Sequence, residues 1–126
     1  MSPDSDAALP KATGPLSGIR VLDLTSVVLG PVATQILGDH GADIIKIEAT
    51  AGDMMRANGA ARNPGMSSIF LAINRNKRSL AIDLKTEEGR KIALELAASV
   101  DVVIPTHYHD DHLAGRRDLQ AAQEIE

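Results

Sequence analysis

GIRVLDLTSVVLGPVATQILGDHGADIIKIE, residues 18–48, holds two short β-rich apolar runs with a helical one between them. The first run, Gly18 to Thr25, reads as a buried strand, because Val, Leu and Ile dominate it without strict alternation. Gly30-Pro31 then gives a helix start, since proline at a first helical position loses an N–H that has no partner there anyway. The helix is expected from Pro31 to about His40, with Val32, Ile36 and Leu37 inward. Gly41 is placed to stop it. The second run, Asp43 to Glu48, is the next strand. Short loops on both sides of the helix imply a strand–helix–strand unit, and the two strands of such a unit are parallel.

The same pattern returns downstream. Residues 49–68 are rich in Gly, Asn, Met and Arg and read as irregular, and SIFLAINRN after them fits either a helical turn or a strand. SLAIDL, Ser79 to Leu84, reads as a strand. Thr86 caps a helix reaching about Ser99, with Ile92, Leu94, Leu96 and Ala97 as its buried positions. DVVI, Asp101 to Ile104, is a further strand. Two consecutive βαβ units predict an α/β fold: a partial Rossmann-like open parallel sheet with covering helices. RRDLQAAQEIE at the end has helical spacing, and it stops without a helix-stop signal, which reads as a cut end.

Composition narrows the options. A chain of 126 residues makes one domain. One Phe, one Tyr and no Trp leave an aliphatic core. The net charge of −4 offers no general attraction to nucleic acid or to an anionic membrane. No run is long enough to span a bilayer, and the absence of Cys removes disulfides and thiolate metal sites. Residues 1–14, with Ser, Asp, Pro and Ala, read as a loose tail without a secretory signal. The expected location is cytoplasmic.

Ligands of doubly wound sheets bind beyond the carboxyl ends of the strands. Those ends lie at Thr25 to Gly30, Glu48 to Asp53, Leu84 to Lys85 and Pro105 onward. The helix after the first loop presents free N–H groups that favour an anion. Arg75, Lys77, Arg78 and Lys85 are candidate phosphate partners, although NRNKR also reads as a solvated turn. No G-x-G-x-x-G loop is present, so the dinucleotide fingerprint is missing.

PLSGIRVLDLTSVVLGPVATQILGDHGADIIKIE, then GDMMR, then NRNKRSLAIDLKTEEGRKIALELAASVDVVI together resemble the N-terminal part of family III CoA-transferases. That group includes formyl-CoA transferase, the carnitine CoA-transferase and α-methylacyl-CoA racemase. The resemblance covers residues 15–104. It implies a Rossmann-like domain that binds coenzyme A, in an interlocked homodimer. It places CoA contacts at Val28 and Leu29 and at Ile82, Asp83, Leu84 and Lys85, with Ile82 and Leu84 flanking the adenine and Lys85 meeting a phosphate. Several members carry a basic or amide residue where this chain has Ser26 and Val28, and some carry Arg at Ala49. The family's catalytic aspartate lies beyond the length of this chain, so no residue here is assigned a catalytic role.

Past Ile104 the chain departs from that family. PTHYHDDHLAG resembles the H-x-H-x-D-H signature of the metallo-β-lactamase superfamily. Side chains two apart on an extended segment share a side, so His107 and His109 are placed to grip one metal, with Asp111 and His112 reaching a second. Imidazole and carboxylate suit Zn²⁺. Residues 105–126 are therefore expected to be a His-rich loop and a terminal helix of metallo-hydrolase-like sequence. A fusion, a frameshift or a truncation each account for the join.

Three readings of function follow. The first is a CoA-binding N-terminal domain for CoA transfer between carboxylic acids, not catalytic alone, with CoA or acyl-CoA as ligand. The second is a metal-binding fragment of metallo-hydrolase descent. The third is a non-catalytic fragment that oligomerises.

Overall fold

β1 (Arg20–Leu24) lies at the centre of the sheet and organises what surrounds it. A computed structural model describes residues 11–105. After β1 come α1 (Leu29–Asp39), β2 (Asp43–Glu48), a short 3-10 helix (Met54–Ala57), α2 (Ser68–Ile73), β3 (Lys77–Ala81), α3 (Glu87–Ala97) and β4 (Val102–Pro105). The four strands form one sheet in the order β3-β2-β1-β4, and every neighbouring pair is parallel. The chain steps outward from β1 to β3, then crosses back to put β4 on the other side of β1. That reversal makes the fold doubly wound.

Strand side chains alternate between faces, and the two faces have separate cores. Leu22, Ile45, Ile47 and Ile82 pack against Ala93 and Ala97 of α3. On the opposite face Val21, Ala42 and Ile44 meet Leu37 of α1, with Leu16 and Ile104 alongside. Met55, Phe70 and Ile73 extend that layer, with Val32 against them. Right-handed crossovers require this arrangement, with α1 and α2 on one face and α3 on the other.

The expected elements are present with shifted ends. Ser67 accepts from the Phe70 amide and caps α2, so SIFLAINRN begins as a helix. Thr86 caps α3 as expected, its hydroxyl accepting from the Gly89 amide at 3.0 Å. Gly41 follows α1 with φ 101°, the left-handed stop that glycine permits. The first turn of α1 closes earlier than expected, because the Val32 amide donates to the Val28 carbonyl. Pro31 therefore sits within the first turn, where it breaks no helical bond.

Two buried positions were wrongly expected. Ile36 is 49% exposed while Thr34 and Gln35 of the same helix are buried, because Thr34 is turned toward a charged group on β1. Ile92 is 44% exposed; Gly89, Ala93 and Ala97, four apart, form the face of α3 against the sheet. β3 was expected at Ser79 to Leu84 and instead begins at Lys77, which pairs with Ile44. At the amino end Gly14 lies against the α1–β2 turn, and the Leu16 amide donates to the His40 carbonyl. Residues 106–126, with the expected terminal helix, lie outside the described residues.

Candidate functional site

A parallel sheet puts all its carboxyl ends on one rim, and here that rim carries the loops after β1, β2 and β3. The β1–α1 loop runs from Thr25 to Val28. Val27 has φ 69°, a left-handed conformation that a β-branched residue adopts at a cost of about 1–3 kcal/mol. Val28 and Leu29 follow, 39% and 86% exposed. The N-cap residue of α1, Val28, supplies no side-chain cap and the first turn holds no acidic residue, so the positive end of the helix dipole faces the rim.

The β3–α3 loop is built differently. Ile82 continues the ladder, its amide donating to the Glu48 carbonyl, but its side chain is buried in the α3-side core. It is therefore not available to flank a base, and only its backbone reaches the rim. The Asp83 carboxylate accepts the Lys85 amide at 3.0 Å, which tightens the turn into α3. Leu84 and Lys85 are exposed. Glu87 and Glu88 occupy the first turn of α3, so this helix end is already compensated, unlike that of α1. The two loops follow strands separated by β2, about 10 Å apart across the sheet.

The other cations expected near a phosphate are engaged elsewhere. Arg75 and Arg78 lie near the start of β3, at the opposite end of the sheet from the rim. Arg75 pairs with Asp39 at 2.7 Å and Arg78 with Asp43 at 2.6 Å. The Arg75 guanidinium holds the Asp39 carboxyl down at about 2. The Lys77 side chain is 2% exposed and points beneath α1 to Asp23 at 3.0 Å.

Beneath the first loop lies a charged cluster that the sequence reading missed. Asp23, Lys46 and Glu48 project from β1 and β2 into the α1 side of the sheet, and all are buried. Asp23 accepts the Thr25 amide, the Thr25 hydroxyl and the Thr34 hydroxyl. Lys46 Nζ donates to the Thr25 carbonyl at 2.8 Å and lies 2.9 Å from Asp53 Oδ2. That second contact is a charge contact without hydrogen-bond alignment, so Asp53 Oδ2 has no hydrogen bond of its own. Glu48 takes Arg56 in a two-pronged pair, both contacts 2.7 Å, plus the Asp53 amide and the Ser79 hydroxyl. Burial raises the Glu48 carboxyl, and these donors outweigh it, holding it at about 2. Burial lowers the Lys77 ammonium against the pull of Asp23. The Arg56 guanidinium also stacks over Phe70, 3.9 Å from the ring centre.

The signal for this cluster was in the quoted motifs. Lys and Glu inside the apolar run DIIKIE face one side with Ile44, and a buried charge requires a partner. GDMMR supplies both partners, Asp53 for Lys46 and Arg56 for Glu48. Gly52 has φ 85°, which allows the chain to fold back over β2. Among the described residues no cluster of His, Asp and Glu is arranged to hold a metal. His107, His109, Asp111 and His112 lie outside those residues.

Comparison with known proteins bears on this arrangement. The family model described as CoA-transferase family III matches residues 16–111. Succinyl-CoA:glutarate CoA-transferase of Mus musculus is 45% identical over 106 residues, covering 83% of this chain and 24% of that protein. Formyl-CoA:oxalate CoA-transferase of Streptomyces avermitilis is 47% identical over 94 residues, covering 73% of this chain and 22% of its own length. Among solved structures, Rv3272 of Mycobacterium tuberculosis superposes with a TM-score of 0.77 at 36% identity, over 88% of this chain and 32% of that one. A CAIB/BAIF family protein from Brucella suis gives 0.76 at 36% identity, over 86% of this chain and 31% of that one. The chain spans about a quarter of the length of the curated relatives it matches. With its all-parallel sheet and that match, the chain belongs to CoA-transferase family III and is the N-terminal domain of that family.

Proposed function

We propose that this chain is the CoA-holding part of an enzyme that moves coenzyme A between carboxylic acids. The observation that carries the reading is the shared rim. In a chain of this family, the β1–α1 loop and the β3–α3 loop emerge from the same end of one parallel sheet. The uncapped N-terminus of α1 favours an anionic group. Exposed Leu29 offers apolar contact to an uncharged arm, and Lys85 offers a cation whose side chain enters no ion pair among the described residues. The ligand class is CoA or an acyl-CoA thioester. The role assigned here is binding; the transfer step belongs to a carboxylate outside this chain, in a homodimeric assembly.

Calorimetric titration of the full chain with CoA tests the reading, with micromolar binding expected. Lys85→Ala weakens that binding by about three- to tenfold, an ordinary value for one exposed phosphate contact. The loss shrinks as salt is raised, because the contact is screened. Absence of CoA binding by the wild-type chain rejects the proposal.

A further inference from the structure

We propose that Lys77 and Lys46 are positioning residues for the β1–α1 loop. Their buried ammonium groups hold the backbone carbonyls of Pro31 and Thr25, one on each side of the segment that carries Val28 and Leu29. The inference rests on the reading of that loop as ligand-holding.

Each lysine side chain is 2% exposed. Lys77 Nζ donates to Pro31 O at 2.8 Å and Asn74 Oδ1 at 2.9 Å, and lies 3.0 Å from Asp23 Oδ2 as a charge contact. Lys46 Nζ meets Thr25 O at 2.8 Å and Asp53 Oδ2 at 2.9 Å. Asp23, fully buried, adds the Thr25 amide and the Thr34 hydroxyl. The loop and the first turn of α1 are thus tied at residues 25, 31 and 34 to charges mounted on three strands.

Stability alone does not call for this design. Buried ion pairs are often replaceable by apolar side chains of like size without loss. An ion pair serving only the core would need no partner beyond its carboxylate, whereas each ammonium group here also donates to a backbone carbonyl, Thr25 in the loop and Pro31 in the first turn of α1. Between the two ties stands Val27 at φ 69°, and such a conformation persists only where its surroundings over-determine it. The cluster supplies that constraint, and so presets the loop before a ligand arrives.

Lys77→Met and Lys46→Met, each in the full chain, test this, with Ile45→Val on the opposite face as a control for general destabilisation. The readout is hydrogen exchange at the Thr25 and Val32 amides against the α3 amides. The methionine variants are expected to speed exchange at Thr25 and Val32 by about tenfold more than in α3. The control moves both regions alike. A uniform change in the methionine variants overturns the inference. Should those variants not fold, Thr34→Val releases the third tie and leaves both lysines; the loop-confined increase is then expected to be smaller, and a uniform one overturns the inference.

CoA titration of the same variants is expected to show about tenfold weaker binding. A loosened loop with unchanged CoA affinity also overturns the positioning role. If wild type itself does not bind CoA, the function reading fails, and exchange alone then decides whether the lysines hold the loop.

Discussion

Glu48 shows how opposing effects on one carboxylate are resolved. Burial disfavours its charge, yet four donors converge on its two oxygens: Arg56 through two nitrogens, the Asp53 amide and the Ser79 hydroxyl. The donors win, and the carboxyl falls from 4.5 to about 2. A pKa lower in the folded state stabilises the fold at pH above the unfolded value. That contribution is complete above about 4.5 and is lost as the pH falls toward about 2. At about 1.4 kcal/mol per unit it is on the order of 3 kcal/mol. Glu48→Gln is expected to destabilise the chain by roughly that amount at neutral pH, as it leaves Arg56 without its charge partner. Urea unfolding of the two forms checks this: their difference should narrow between pH 4.5 and pH 2. A difference constant across that window would mean that the carboxylate charge is not what holds β2 to the 3-10 helix.

The α3 helix depends on a glycine that periodicity alone does not mark as special. A Cβ placed on Gly89 would overlap the carbonyl oxygen of Asp83, the residue that shapes the turn into α3. Alanine is favoured over glycine in a helix interior by about 1 kcal/mol. A backbone overlap costs more, so Gly89→Ala is expected to destabilise by about 1–3 kcal/mol net. It should also displace the β3–α3 loop, so CoA affinity falls together with the thermal midpoint. Elements of this kind were legible in part. Capping and stop signals at Thr86 and Gly41, and the apolar runs of β1 and β2, act locally, and a sequence displays local physics directly. Apolarity alone turns Ile36 and Ile92 inward, yet it does not orient either helix. In α1 the orientation is set by Thr34 reaching Asp23, and in α3 by small residues that allow close approach to the sheet. Lys77 resembles turn chemistry until Asp23 is known to lie beneath α1. Such contacts join residues far apart in the chain, and no periodicity announces them.

Taken as a unit, the chain spans about a quarter of its curated relatives, and its described residues put four parallel strand ends on one rim. The order β3-β2-β1-β4 separates the two candidate loops by the width of β2, and their chemistry differs in kind. Around β1 the rim offers Leu29 and an uncapped helix end; around β3 it offers Lys85 with Leu84. A long ligand lying along the rim would touch the two loops with different parts of itself. Groups about 10 Å apart without shared partners contribute independently, so Leu29→Ala and Lys85→Ala should lower CoA affinity additively, within about 0.5 kcal/mol. A shortened ligand separates the parts. If Lys85 meets the nucleotide end, adenosine 3′,5′-bisphosphate should lose as much affinity as CoA on Lys85→Ala. The same fragment should be insensitive to Leu29→Ala, because it lacks the thiol-bearing arm. Titration of both ligands against the two single variants and the double variant gives the answer. Strong coupling between the substitutions, or equal sensitivity of the fragment to both, would place the two loops on one part of the ligand and overturn this division of the rim.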